Sequence, residues 1–382
     1  MRALVIGKSL PRLILTRLLA VLSPRAYTGP TSTLGLAEIP SPELPGPDWL
    51  LVRTGCCGLC GSDYKQVFMN GAFDNPMTSL ISWPQVLGHE VVGVVERVGD
   101  GVTRHRVGQR VVLNPWLSCG PRGLPPCQWC VAGDYAQCTN FVHGDALPGI
   151  HTGNSATATG GFAPLVPGHE SQWLPIPDEV SNEAAVLSDP FAVSLHAILR
   201  NPPPANGQVL IYGAGTLGLL ALAILRALYP EVQVTVIARF AHQRKLAAEW
   251  GAKHTLASSP VRQIVEVAAG VTSADLLEPW RGLPMLNGGF DIVYDTVSSS
   301  ETLEVGVRIA RSRARIVALG VEPPRRFEWT PLYFKEIALV GSNGFGLETF
   351  DGRVQHGIEW YFEFIRTRKI DVTALITHRC QY

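Results

Sequence analysis

The glycine turn Gly213-Ala214-Gly215-Thr216-Leu217-Gly218 constrains this chain more than any other feature, because of what stands on either side of it. Before it runs Gln208-Val209-Leu210-Ile211-Tyr212, an apolar stretch that reads as a buried strand. After it, residues 217–229 make an apolar helix stopped by Pro230. In that setting each position has a task. Gly213 and Gly215 permit a tight turn and close approach of a pyrophosphate, and Gly218 lets helix and strand pack. Thr216 and Leu217 open the helix, whose first N–H groups are free to meet phosphate oxygens.

The same alternation continues downstream. Apolar runs at 232–238, 290–294, 314–319 and 337–340 are separated by helical stretches such as 243–250. Continuous apolar strands with helices between them predict a parallel sheet covered on both faces. Residues 1–180 have a different texture, with short β-like runs at 91–98 and 110–113 broken by Gly- and Pro-rich turns. That pattern suits an irregular β-barrel or sandwich. A helix over 183–199, ended by the break at 201–207, marks the change. With 382 residues, two domains are expected. We place the first at 1–183, completed by 325–382, and the nucleotide-binding domain at 184–324.

Lys+Arg and Asp+Glu both number 32. No global field therefore draws the chain to nucleic acid or an anionic membrane, and a small-molecule partner is expected. The first 25 residues hold Arg2, Lys8, Arg12, Arg17 and Arg25 and no acid, superficially like a transit peptide. The apolar run 13–22 is too short and is broken by Arg17, so it fits neither a signal core nor a membrane span. Residues 1–6 read as a first strand, and 13–22 as a later strand or a buried helix. The expected location is the cytoplasm, where clustered cysteines are metal ligands more often than disulfides.

Cofactor choice is written at the end of the second strand. An acid about 20 residues past the glycine turn grips an adenosine ribose in NAD-binding units. Here the count from Gly218 reaches Ala238, followed by Arg239 and, further on, Arg244. An aspartate would repel a 2′-phosphate, whereas alanine plus arginine accepts one, so NADP is expected rather than NAD. The alternative is that Arg239 is solvated at a helix start, or stacks on adenine.

Cys119, Cys127, Cys130 and Cys138 form C-x7-C-x2-C-x7-C in a Gly/Pro-rich stretch. Four thiolates suit a closed, tetrahedral, structural zinc, which would order a segment with little core of its own. Upstream, Cys60 and His89 could hold a second zinc, with Glu90 as a third or exchangeable ligand. Asp63 could hold the other ring nitrogen of His89 and so fix its tautomer.

Leu59-Cys60-Gly61-Ser62-Asp63, the run 86–95 around Gly88-His89-Glu90, the four-cysteine lobe, Gly160-Gly161-Phe162-Ala163, Asp189-Pro190-Phe191 and Gly213–Gly218 occur in the order seen in zinc-containing medium-chain dehydrogenases. The chain resembles that family over nearly its whole length. The resemblance implies a GroES-like β-rich catalytic domain plus a Rossmann doubly wound parallel sheet, an α/β chain overall, assembled as a homodimer or homotetramer. It implies reversible hydride transfer between a nicotinamide cofactor and an alcohol, aldehyde or ketone, with one catalytic and one structural zinc. Cys60 and His89 match the catalytic zinc ligands, and Glu90 matches the exchangeable glutamate of the polyol and threonine dehydrogenase branch. Asp189 falls where that branch carries a Glu; it could bind zinc directly, bind it through water, or be an N-cap or a surface acid before Pro190. Ser62 matches the hydroxyl that passes the substrate proton. Lys65 stands where many relatives carry a relaying His.

Three departures stand out: a seven-residue first gap in the cysteine lobe, an expanded segment between the first strand and Tyr27, and an end at 376–382 where relatives add a helix. Two rival readings remain open, a zinc-free enone or quinone reductase and a non-catalytic nucleotide-binding protein. Aromatic residues in loops 68–83 and 116–124 hint at a bulky or apolar substrate.

Overall fold

In the computed structural model of the protein, which describes every residue except 71–74, 324, 369 and 382, the apolar runs of the second half form one six-stranded parallel sheet. Its order is His254–Ala257, Gln233–Ala238, Gln208–Tyr212, Phe290–Asp295, Ala310–Ala318 and Ala338–Gly341. Leu210, Ile237, Val293 and Ile316 of the strands are buried with Ile264, Val265, Val305 and Ile309 of the flanking helices Val261–Thr272 and Ser300–Ile309. Strand order reverses between Gln208–Tyr212 and Phe290–Asp295. The glycine turn stands at that switch point, where open α/β sheets leave a crevice for ligands.

The first half is antiparallel. A five-stranded sheet runs Leu165–His169, Trp49–Gly58, Glu90–Val98, Arg110–Leu113 and Trp173–Pro175. Leu50, Val52, Val91, Val95, Val111 and Trp173 fill its core. A smaller sheet pairs Arg2–Ile6 with Leu34–Glu38 and Gln85–Val86. The chain divides into two compact units: 1–189 with 358–363 and 373–382, and 190–357 with 364–372. The stretch 325–357 thus stays with the parallel sheet.

Two sequence expectations need correction. The single helix at 183–199 is two helices, Asn182–Ala185 and Ser188–Arg200. Pro190 explains the break: its ring cannot donate a backbone hydrogen bond and is tolerated only in a first turn. Asp189 accordingly lies inside that first turn rather than before the helix. The run 13–22 is helical, as Leu10–Ala20, but it is not buried; Thr16 is its only buried residue. Of the loop 68–83, residues 71–74 lie outside the described residues, as does Tyr382 of the tail. No helix among the described residues is long and apolar enough to cross a membrane.

Candidate active site

Strand register assembles the first site. Trp49–Gly58 and Glu90–Val98 are antiparallel, with Gly58 opposite Glu90. The residues just beyond this pair, Cys60 on one side and His89 on the other, are thereby brought together. Gly58 leaves room for the Glu90 carboxylate, since a Cβ at that position would lie 1.9 Å from one of its oxygens and push it aside. Gly88 has φ +93°, a left-handed backbone that turns the chain into His89. Cys60 Sγ, a His89 ring nitrogen and a Glu90 carboxylate oxygen all lie within 4.8 Å of one another.

Asp63 does not do what its spacing suggested. Its carboxylate accepts the Cys60 N–H at 3.1 Å and the Gly88 N–H at 3.3 Å. Its oxygen stays 3.8 Å from His89 Nδ1, beyond hydrogen-bond reach. As the third residue of the helix Gly61–Val67, Asp63 is drawn into capping that helix, and in doing so it ties the Cys60 loop to the His89 loop.

The electrostatics of the group are unbalanced. Asp63, His89, Glu90 and Asp189 are all less than a tenth exposed. Burial acts against the Cys60 thiolate, but the His89 ring more than offsets it and leaves the thiol below its ordinary value. Burial likewise disfavours a charged His89; the Cys60 sulfur, then Asp63 and Asp189, nevertheless raise it well above an ordinary histidine. Glu90 is pushed well above the usual carboxylate range by burial, then by Cys60 and Asp189. Asp189 rises to about 6, mainly through burial. Cys60, Glu90, Asp63 and Asp189 thus crowd one imidazole, and their crowding favours protonated carboxyls, a strain that a divalent cation among them would relieve. His89 Nδ1, Asp189 Oδ2 and Ser62 Oγ are buried without a hydrogen-bond partner. Thiolate, imidazole and carboxylate are the donor types zinc takes, so the residues fit that metal.

Sequence reading missed His151. Its ring packs 4.4 Å from that of His89, with Trp116 at 6.4 Å. Burial and then the His89 charge push it down to about 3, so it is neutral. Its Nδ1 lies 2.8 Å from the Thr152 carbonyl and donates to it, leaving Nε2 as an acceptor. No metal-ligand spacing surrounds His151 in the sequence, and only the path of the 149–153 loop brings it here.

In the four-cysteine lobe, Cys119 Sγ and Cys138 Sγ are 3.6 Å apart, and Cys127 Sγ and Cys138 Sγ are 4.0 Å apart. These separations bracket the edge of about 3.8 Å that a tetrahedron of Zn–S bonds requires, and they exclude a disulfide of about 2.0 Å. The Cys127 and Asn140 backbone N–H groups donate to Cys119 Sγ and Cys138 Sγ, and the Asn140 amide donates to Cys119 Sγ, each at 3.3 Å. Arg122, missed in the sequence and fully buried, locks the lobe by donating to the carbonyls of Leu117, His143, Ala146, Leu147 and Gly149.

The glycine turn has the geometry of a nucleotide cradle. A Cβ on Gly218 would sit 1.9 Å from the Gly213 carbonyl, whereas one on Gly215 would project into open space. Gly218 is thus required for packing, whereas Gly215 stands against open space. No side chain caps the helix Thr216–Leu228 that follows. Ala238 ends its strand buried, Arg239 is exposed, and Arg244 Nη1 donates to the Ala238 and Arg239 carbonyls at 3.1 and 3.3 Å.

Comparison with known proteins meets this geometry. Residues 46–178 match the alcohol dehydrogenase GroES-like domain, and residues 216–359 match the zinc-binding dehydrogenase domain. The chain belongs to the zinc-type medium-chain dehydrogenase family. This dehydrogenase is 29% identical to galactitol 1-phosphate 5-dehydrogenase of Escherichia coli, over 90% of its own chain and 89% of that protein. It is 25% identical to (R,R)-butanediol dehydrogenase of Saccharomyces cerevisiae, over 82% and 81% of the two chains. Its fold matches that of a zinc-binding dehydrogenase of Sinorhizobium meliloti 1021 bound to NADP, with TM-score 0.67 and 27% identity, covering 89% and 87%. The dehydrogenase is therefore an NAD(P)-dependent oxidoreductase of the alcohol dehydrogenase type, with zinc and a nicotinamide nucleotide as its cofactors.

Proposed function

We propose that this dehydrogenase interconverts an alcohol or polyol and its carbonyl counterpart, with Cys60, His89 and Glu90 holding a catalytic zinc and Cys119, Cys127, Cys130 and Cys138 a structural one. The observation that carries the reading is the Cys60–His89–Glu90 group, its His89 and Glu90 buried, with the Ser62 hydroxyl beside the Cys60 sulfur. Zinc held there would supply Lewis acidity toward the substrate oxygen, and a bound nicotinamide nucleotide would supply the hydride chemistry. The chain supplies the rest. Ser62 Oγ, beside the Cys60 sulfur, relays the alcohol proton, accepting it as its own hydroxyl proton passes on toward solvent, and runs the same relay in reverse. Asp63 fixes the Cys60 and Gly88 loops through their N–H groups. Asp189, in the first turn of its helix, holds negative charge near His89 and acts as a further or exchangeable ligand.

NADP is the preferred nucleotide in this reading. Gly213, Gly215, Thr216, Leu217 and Gly218 receive the pyrophosphate. Arg239, with no acid at Ala238 to oppose it, pairs with the 2′-phosphate while Arg244 braces the turn beneath it. A homodimer through the edge strand Ala338–Gly341 fits the exposed Trp329, Tyr333 and Phe334 beside it.

Elemental analysis of the purified protein tests the site. About two zinc ions per chain are expected. Cys60→Ser should lose one of them and all turnover, with cofactor affinity nearly unchanged. A single zinc that leaves only when the four-cysteine lobe is mutated would refute the assignment. Ala238→Asp should swing the ratio of kcat/KM toward NADH, and an unchanged ratio would refute the nucleotide preference.

A further inference from the structure

The helix Leu10–Ala20 is built inside out. Leu13, Thr16 and Ala20 face the protein, where the Thr16 hydroxyl donates to the Thr31 carbonyl at 2.8 Å. At about 100° per residue, Leu10, Ile14, Leu15 and Leu18 fan across the opposite side, and Val21 and Leu22 extend the fan just past the helix end. These six side chains are 45–84% exposed. A helix whose larger apolar arc faces water has a partner that the isolated chain lacks.

Charge identifies that partner. Arg12 and Arg17 are exposed and fall on the two flanks of the apolar arc, between it and the buried face. Lys8 and Arg25, exposed as well, extend the basic rim at either end of the segment. No acid occurs before Glu38. The zero net charge of the chain therefore hides a basic N-terminal segment. A second copy of this face would bring arginines against arginines, whereas an anionic lipid surface offers acyl chains to the apolar arc and phosphates to its flanks. We propose that Leu10–Ala20 lies flat in the interface of an anionic bilayer, attaching the dehydrogenase to a membrane surface that it does not span. At 11 residues the helix is far too short to cross one. The site chemistry is independent of this attachment.

Co-sedimentation of the zinc- and nucleotide-loaded protein with vesicles tests it, using phosphatidylcholine alone against phosphatidylcholine with phosphatidylserine. Binding should require the anionic lipid and weaken in high salt. It should fall roughly thirty-fold in R12Q/R17Q, given two basic contacts at a charged surface, and comparably in I14Q/L18Q, with zinc content and turnover retained in both. Equal binding to the two vesicle types, or none to either, would overturn the proposal without any variant being needed. So would a concentration-dependent oligomer in size-exclusion chromatography that I14Q/L18Q dissolves while vesicles bind nothing, because the occupant would then be a second copy of the chain.

Discussion

Replacing Arg122 with methionine should open the zinc lobe locally. A guanidinium has five N–H donors, and each one of Arg122 reaches a backbone carbonyl, at 2.8 Å for Leu117, His143 and Gly149, 2.9 Å for Ala146 and 3.2 Å for Leu147. Four of these acceptors lie in 143–149, so one side chain closes that loop onto the lobe. A hydrogen bond to a charged group is worth about 1.5–3 kcal/mol, which sets a ceiling of roughly 7–15 kcal/mol for five. The ceiling is not reached, because methionine lets the loop swing out and its carbonyls recover water. The cost is then that of breaking one buried charged contact, about 3–5 kcal/mol. The charge matters too: Arg122 feels both Cys138 and Cys119, and a zinc with four thiolates leaves a net negative centre for it to offset. The assay is amide hydrogen exchange at His143 and Gly149, whose N–H groups bond to Asn140 and Phe141 carbonyls, together with the rate of zinc release to a chelator. An opening cost of 3 kcal/mol accelerates exchange by roughly a hundredfold. Arg122→Lys, with one point donor in place of a planar fork, should fall between. Exchange within about threefold of wild type, with an unchanged zinc release rate, would refute the reasoning.

Gly215→Ala and Gly218→Ala should separate binding from folding. The first puts a methyl in open space, so stability holds while nucleotide affinity drops; the second drives a Cβ to 1.9 Å from the Gly213 carbonyl and lowers the melting temperature as well. Retained nucleotide affinity in Gly215→Ala would remove that position from the cradle. Acid should destabilise the parallel-sheet unit through His356, which burial pushes down to about 4 from an unfolded value near 6.5. The unfolded chain takes up this proton first, so stability is intact above about pH 6.5 and is lost as pH falls toward 4, by up to about 3 kcal/mol. His356→Phe should flatten that part of the stability–pH curve; an unaltered slope would exclude the histidine as its source.

Much of this was legible along the chain. The strand, glycine turn and helix at 208–228 form in the structure as read, because each depends on neighbours a few residues away. The four-cysteine lobe was equally readable, since short spacings and ligand type define a tetrahedral site. Asp63 was legible as important but not in its role: capping its own helix competes with holding His89, and the nearer backbone N–H groups win.

By itself, then, the amino-acid sequence determined the sheet class, the strand–glycine turn–helix unit and the candidate metal-ligating side chains, because donor chemistry and local backbone geometry are properties of short segments. Tertiary structure alone decided three things. It set the register that places Gly58 against Glu90 and so brings Cys60 to His89. It set the paths that bury Arg122 and bring His151 to the His89 ring. And it turned the apolar side of Leu10–Ala20 outward. Each depends on contacts between residues far apart in the chain, where side chains compete for the same space and the same hydrogen bonds, and no local pattern can announce which of them prevails.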